Sequence, residues 1–185
     1  MIEKFTFDLQ MPGATYLARA GAPQASAKSV KKKLILVKSD CELHTHVVLK
    51  LLSYMLFYDP RLQIEMGVDM HYKPDLVIPG DHVPELWIDC GQVALKKAES
   101  LSDKLRATRI CIVKETKREM DQFRRVVEKK AAHADRIEYL AFENGFVAGL
   151  AAALQRTNEV TLYEVLENVI GVALNDQVFE SALLR

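Results

Sequence analysis

Two aspartates within short apolar segments are the first candidates for chemistry. Asp75 follows Pro74 and precedes an apolar run, and Asp89 lies in the segment Trp87-Ile88-Asp89-Cys90-Gly91. If these segments are adjacent antiparallel strands, the two carboxylates can meet at one edge of a sheet. Partly buried carboxylates are costly to bring together unless a positive charge lies between them. A divalent cation such as Mg²⁺ prefers oxygen ligands, so the pair predicts a metal site.

A cation at this position could activate water and polarise a phosphoryl oxygen, which is the chemistry of phosphodiester hydrolysis. The plainer alternative is that Pro74-Asp75 is a common turn pair with a structural role only. Cys90 is best interpreted as a small buried side chain, because the sequence places no convincing base beside it.

A largely buried helix is predicted over residues 41–58, with Asp40 as its N-cap. Glu42, His46, Lys50 and Ser53 follow spacings of four, four and three, so they share one face of this helix. His44 points away from His46 and is expected to be solvated, whereas His46 could line a cleft beside Glu42.

The segments after this helix predict a sheet with helical crossovers. Residues 62–66, 74–78 and 85–90 are separated by Gly and Pro, which indicates a three-stranded meander. An amphipathic helix follows, with Ala94, Ala98, Leu101 and Leu105 on one side. A strand at 110–113, a helix at 119–134 and a strand at 137–142 then imply a parallel crossover.

The two ends of the chain are predicted differently. Residues 3–9 alternate polar and apolar side chains, and 34–37 form a second strand pairing with them, after a loop at 20–33. In the tail, 146–155 is helical. Residues 160–183 carry a capping-box signal for a helix and also β-branched residues with an Asn175-Asp176 hairpin turn, so local sequence leaves both structures open.

Length and composition limit the class of protein. The 185 residues fit a single domain, and the 25 basic and 25 acidic residues exclude a strongly basic protein that coats nucleic acid through bulk charge. Three scattered cysteines form no disulfide framework or CxxC motif. With no signal-peptide pattern and no apolar stretch of membrane-spanning length, a cytoplasmic protein without membrane contact is expected. No oligomeric state is predicted.

The ordered set of motifs resembles the PD-(D/E)XK nuclease superfamily and, more narrowly, the YaeQ family. The matching stretches are Val48 to Leu52, YDPRLQI at 58–64, PDL at 74–76, LWIDCG at 86–91 and Lys96-Lys97-Ala98. The resemblance implies an α/β fold with a mixed β-sheet flanked by helices. It would have a restriction-endonuclease-like core and an added N- and C-terminal strand set. In that family the 160–183 region returns as strands.

The resemblance also implies roles for individual residues. Asp75 and Asp89 would be the metal-binding carboxylates, with the backbone carbonyl of Cys90 as a further ligand. Glu42 would be the helical acidic residue that completes many such sites. The cofactor would be Mg²⁺ or Mn²⁺.

The chain departs from the superfamily pattern at its lysine, which normally lies two residues after the second carboxylate. That position holds Gly91 here, and Lys96 and Lys97 on the following helix are the candidate replacements. At 100° per residue the apolar stripe of this helix leaves Lys96 nearly opposite and Lys97 at its flank. Lys97 is therefore the predicted catalytic lysine.

The expected function is a metal-dependent nuclease, a hydrolase acting on DNA or RNA. The alternative is a non-catalytic binding or regulatory module that keeps the fold without turnover, which the missing lysine and the neutral net charge favour. The basic residues of the 119–134 region and of the segment just before it are either a solvated exterior or a surface that follows phosphates. These residues are Lys117, Arg118, Arg124, Arg125, Lys129 and Lys130.

Overall fold

A computed structural model describes residues 2–12, 29–68, 70–166 and 168–185. Within these ranges, ten strands form two mixed five-stranded sheets, and four α-helices pack beside them. In chain order the elements are β1 (Glu3–Met11), β2 (Val30–Lys38), α1 (His44–Leu56), β3 (Gln63–Ile64), β4 (Leu76–Ile78), β5 (Leu86–Cys90), α2 (Leu95–Lys104), β6 (Arg109–Thr116), α3 (Lys117–Lys130), β7 (Ile137–Phe142), α4 (Phe146–Ala153), β8 (Thr157–Leu166), β9 (Val169–Leu174) and β10 (Gln177–Ala182).

The first sheet joins the two ends of the chain in the order β10-β9-β8-β1-β2. The antiparallel pair of β1 and β2 confirms the predicted N-terminal hairpin. β1 also pairs in parallel with β8, and β9 and β10 continue the sheet as antiparallel strands. The tail is therefore strands, with Asn175 at a φ of 53° in the turn between β9 and β10. The added terminal strands thus form one sheet, which local patterns did not predict.

The second sheet, in the order β3-β4-β5-β6-β7, carries the predicted aspartates. β3, β4 and β5 are antiparallel neighbours, which confirms the meander. β5, β6 and β7 are parallel, as the strand, helix, strand pattern predicts. The carboxyl ends of these parallel strands therefore lie along one edge of the sheet.

Helix α1 packs against both sheets, and this explains its composition. It contacts β2 of the first sheet and β4, β5 and β6 of the second. Every residue from Val47 to Leu56 is buried, including Lys50. A helix with apolar side chains on nearly all faces is typical of a position inside a core.

Helices α2 and α3 cover the other face of the second sheet. Ala98, Leu101 and Leu105 of the predicted stripe are buried in this smaller core, together with Trp87 and Met120. The side chain of Thr116 accepts a hydrogen bond from the Glu119 N–H, which caps α3 at its start.

Two local predictions about the first third of the chain are wrong. α1 begins at His44 rather than near residue 41, and Leu43 instead of Asp40 holds the N-cap position. The chain makes a turn there, in which the Glu42 N–H donates to the Ser39 carbonyl, so a capping residue type was not sufficient to start the helix. Of the loop predicted at 20–33, residues 20–28 lie outside the described residues, and 30–33 belong to β2.

Within the described ranges, no helix is both long and apolar enough to cross a membrane.

Candidate functional site

Asp75 and Asp89 lie on neighbouring strands at the same edge of the second sheet. Leu76 at the start of β4 lies opposite Ile88 of β5, so Asp75 just before β4 is next to the end of β5. The Asp75 N–H donates to the Ile88 carbonyl at 3.1 Å, which fixes this approach. Burial is the largest cause of the raised pKa of Asp89, and the negative charge of the nearby Asp75 raises it further.

Asp89 is the buried member of the pair, with 1% of its surface exposed. Its Oδ1 accepts a hydrogen bond from Lys97 Nζ at 2.6 Å. Its Oδ2 has no hydrogen-bond partner among the residues that the structure describes. Burial raises the pKa of Asp89, Lys97 opposes that shift, and Asp75 adds to it, so the pKa stays above its ordinary value. A weak interaction with the Trp87 side chain, whose Nε1 also lacks a hydrogen bond of normal geometry among the described residues, opposes the shift as well. A second positive charge near Oδ2 would relieve this cost.

Lys97 is placed by α2 against the end of β5, on the side that its helical phase predicts. Its Nζ donates to Asp89 and also to the Lys73 carbonyl at 2.8 Å. The same Nζ lies 5.5 Å from the centre of the Trp87 ring. Lys96 is exposed to solvent. Of the two candidate lysines, the structure therefore brings Lys97 to the carboxylates and leaves Lys96 outside.

Both oxygens of Asp75 have protein partners. Oδ2 accepts the Cys90 N–H at 2.7 Å. Oδ1 lies 3.2 Å from His46 Nε2, which also lies 3.7 Å from Glu42 Oε1. His46 therefore lines the site between two acidic residues, whereas His44 lies 3.1 Å from Glu3 on the exterior.

Glu42 belongs to a second charged cluster beneath His46. Lys50 Nζ, fully buried, donates to Glu42 Oε1 at 2.9 Å and to Glu65 Oε1 at 2.6 Å. Glu42 Oε2 accepts the Ser39 N–H at 2.7 Å. Burial alone would raise the pKa of Glu42, but the Ser39 N–H and Lys50 lower it to about 2. Burial would lower the pKa of Lys50, but its bonds to Glu65 and Glu42 raise it. The predicted face of α1 thus forms, although its acidic end precedes the helix.

Cys90 contributes its backbone to the site and not its thiol. The side chain is buried, with Sγ 3.4 Å from Ser53 Oγ. Burial raises the pKa of this thiol well above its ordinary value, and Asp75 raises it further. The thiol therefore stays protonated, which agrees with the interpretation of Cys90 as a packing residue.

Gly91 holds the position of the absent motif lysine. Its φ is +66°, a conformation in which side chains are strained, and a Cβ there would lie 3.5 Å from His46 Nδ1. The Gly91 carbonyl accepts a hydrogen bond from Lys114 Nζ at 2.6 Å. Backbone conformation thus disfavours a lysine at position 91.

Two charged residues near the site were missed by sequence reasoning. Lys114 is 6% exposed, lies 4.1 Å from the centre of the Phe123 ring, and has a pKa lowered by burial. The sequence indicates that Lys114 points inward, because it continues the alternation of Ile110 and Ile112 on an inward face. The sequence does not indicate the contact of Glu65 with Lys50, since that contact depends on a loop conformation in which the φ of Glu65 is +49°.

Asp75 and Asp89 are the two carboxylates that the structure brings together at this edge of the sheet. Across the described part of the chain, no three His, Cys, Asp or Glu residues come together as a ready cation site. The chemical capacity of the site therefore rests on the unpaired oxygen of Asp89, the adjacent Asp75 and the ammonium group of Lys97.

Comparisons with known proteins give a family and a fold. The family model described as YaeQ protein matches residues 29–182. The crystal structure of YaeQ protein from Xanthomonas axonopodis pv. citri is 15% identical, with a TM-score of 0.75, over 100% of this chain and 97% of that one. YaeQ protein from Pseudomonas syringae is 20% identical, with a TM-score of 0.69, over 98% of this chain and 93% of that one. None of the curated proteins compared with the chain matches it.

Proposed function

Since the chain belongs to the YaeQ protein family and joins a buried aspartate and a lysine beside a second aspartate, we propose that it is a phosphodiesterase. It would use Mg²⁺ or Mn²⁺ to hydrolyse DNA or RNA. The observation that carries the proposal is Asp89, a carboxylate with one oxygen on Lys97 and the other without a described partner.

The order of elements supports a restriction-endonuclease-like core within the proposal. Helix α1 precedes the antiparallel strands β3, β4 and β5, and α2 then leads to β6, parallel to β5. This is the arrangement expected of the PD-(D/E)XK superfamily, with the first sheet as an addition. Its carboxyl edge, where Asp89 lies, is the edge at which α/β sheets commonly bind ligands.

The electrostatics of Asp89 fit a bound cation. Its raised pKa arises from burial and from the charge of Asp75, and a cation shared by the two residues would favour both ionised forms. A divalent metal bound there would activate water and polarise the phosphoryl oxygen. Lys97 would neutralise charge that develops on the phosphate in the transition state, while its Lys73 and Asp89 contacts hold it in place.

The other predicted ligands would act more indirectly. The Cys90 N–H orients Asp75. The backbone carbonyl of Cys90 would be a further oxygen ligand of the metal. Both Glu42 oxygens are held by Ser39 and Lys50, so Glu42 would act by positioning His46 against Asp75.

A non-catalytic binding module is the second candidate, and one observation favours it. Protein groups already contact both oxygens of Asp75 and of Glu42, so a metal with several protein ligands requires rearrangement of these contacts. In this case the site would bind a cation or ligand without turnover.

Hydrolysis of bis(p-nitrophenyl) phosphate and of labelled oligonucleotides, with Mg²⁺, Mn²⁺ or EDTA, tests the proposal. Wild type should cleave with either metal and stop in EDTA, and Asp75→Asn and Asp89→Asn should lose activity. The exposed Asp81→Asn variant serves as the matched carboxylate control and should remain active. Folded wild-type protein that cleaves no substrate with any metal would favour the binding module.

A further inference from the structure

A shallow basic pocket lies on α3, outside the carboxylate site. Its volume is about 440 Å³. Three basic side chains, one carboxylate and two amides line it: Lys117, Arg118, Asp121, Gln122, Arg125 and Asn144. Five of these residues come from α3, and Asn144 comes from the turn between β7 and α4. The pocket is therefore rich in cationic and amide donors.

The positive charge of the pocket is only partly neutralised by the protein. Lys117 pairs with Asp121 at 2.8 Å. Arg118 and Arg125 are exposed, and neither forms a hydrogen bond or a close ion pair with any other residue in the described ranges. The hydrogen bond from Lys117 is the main cause that lowers the pKa of Asp121, and the nearby charge of Arg125 lowers it further. Helix α3 has six basic and three acidic residues, in a chain whose formal net charge is zero. The cationic charge is thus concentrated locally, with two guanidinium groups available to a ligand.

The pocket lies at the same edge of the second sheet as the carboxylates. Asp89 is near the end of β5, Lys117 follows the end of β6, and Asn144 follows the end of β7. Because these three strands are parallel, their carboxyl ends are neighbours. Lys114 links the regions, since its Nζ binds the Gly91 carbonyl and lies against the Phe123 ring of α3.

We propose that this pocket, through Arg118 and Arg125, binds backbone phosphate of a nucleic-acid strand whose scissile bond lies at Asp75 and Asp89. The inference rests on the proposed function, because it takes the substrate to be a nucleic acid. Guanidinium groups can donate two parallel hydrogen bonds to phosphate, and the amides of Gln122 and Asn144 add neutral donors. A strand that follows the sheet edge would meet both regions.

Binding can be measured without cleavage by fluorescence anisotropy of labelled single-stranded and duplex oligonucleotides in EDTA. The Arg118→Gln/Arg125→Gln variant should bind about tenfold or more weakly at about 50 mM salt. Its plot of log affinity against log salt should be shallower by about 1.5, because two phosphate contacts are lost. The Lys129→Gln/Lys130→Gln variant removes the same charge from the exposed far end of α3 and should bind nearly as wild type.

Two results would overturn the inference. One is equal weakening by the two double variants, which would indicate bulk charge rather than a site. The other is wild-type protein that binds neither oligonucleotide, and binding of inorganic phosphate alone in that case would identify free phosphate as the ligand.

The failure of this inference is separable from failure of the proposed function. Bis(p-nitrophenyl) phosphate has a single phosphodiester and no neighbouring backbone phosphate, so its hydrolysis by wild-type protein tests the carboxylate site without the pocket. If wild-type protein hydrolyses bis(p-nitrophenyl) phosphate but binds neither oligonucleotide, the pocket assignment is wrong and the phosphodiesterase stands. If Arg118 and Arg125 govern oligonucleotide binding but no substrate is hydrolysed, the pocket stands and the enzyme assignment is wrong.

Discussion

Lys97 Nζ lies 2.6 Å from Asp89 Oδ1, although eight positions and the start of a helix separate the two residues in the chain. The contact joins the end of β5 to the first turn of α2, which follows it in the chain. Asp89 is almost completely buried, and Lys97 supplies the positive charge that makes its ionised form tolerable. The lysine absent at position 91 is thus matched by one that reaches the same carboxylate from α2.

Replacing Lys97 and Lys96 one at a time should show whether hydrolysis requires Lys97 itself or only positive charge on α2. Lys97→Ala removes the cation that contacts Asp89, so metal-dependent hydrolysis should fall by about 10²-fold or more. Without the opposing charge of Lys97, the pKa of Asp89 should also rise. The acidic limb of the rate–pH profile should then move to higher pH. Lys96→Ala, on the exposed side of α2, should leave rate and profile unchanged, and an equal loss in both variants would contradict this role.

The buried charge of Lys50 should make a large contribution to stability. Lys50→Met leaves Glu42 and Glu65 without their shared cation, so urea denaturation should show a loss of about 3–5 kcal/mol. Lys117→Met breaks an exposed ion pair with Asp121 and should cost no more than about 0.5 kcal/mol. Similar losses in the two variants would show that the Lys50 cluster is not a structural anchor.

Protonation of Glu42 should lower the stability of the folded protein in acid. Its pKa drops from 4.5 to about 2 in the folded protein, so its contribution is present above about pH 4.5 and is lost as the pH falls towards 2. Between pH 7 and pH 3 this group alone should account for roughly 2 kcal/mol of the lost unfolding free energy. Glu42→Gln should flatten the measured curve by that amount, whereas Glu180→Gln, on exposed β10, should retain the wild-type slope.

The ionised Asp89 side chain should lower the stability of the folded protein, whereas the ionised Glu42 side chain should raise it. Its pKa is raised by burial, so the folded protein loses stability as the pH rises above the ordinary value of 3.8. At pH 7 the Tm of Asp89→Asn should therefore equal or exceed that of wild type. Asp75→Ala should lower the Tm, because the Cys90 N–H loses its acceptor at a cost of about 1–3 kcal/mol. A lower Tm in Asp89→Asn than in Asp75→Ala would show that Asp89 is a structural residue.

The sequence predicted those parts of the fold that depend on local periodicity. The meander, the parallel crossovers and the side of α2 on which Lys97 lies all follow from spacing and helical phase. The structure of residues 160–183 does not follow from local periodicity, because pairing of β8 with the distant β1 overrides the helix-capping signal there. That pairing has no local signature, so the union of the two chain ends in one sheet was not predictable.

The site was predictable in its acidic residues but not in how they are neutralised. Asp75, Asp89 and Lys97 converge as the spacing indicates. The contact of Lys50 with Glu65 and that of Lys114 with the Gly91 carbonyl depend on loop conformation and on register between strands. The alternation of β6 places Lys114 on an inward face, but single-sequence patterns contain no information on which groups Lys50 and Lys114 contact.

Calorimetric titration of the metal-free protein with Mn²⁺ shows without any substrate whether Asp75 and Asp89 bind a divalent cation. Wild type should bind a divalent cation, and both Asp89→Asn and Asp75→Asn should lose that binding while remaining folded by circular dichroism. Asp81→Asn should bind as wild type. Equal affinity in wild type and Asp89→Asn, or no binding by folded wild-type protein, would contradict a metal site at these two carboxylates.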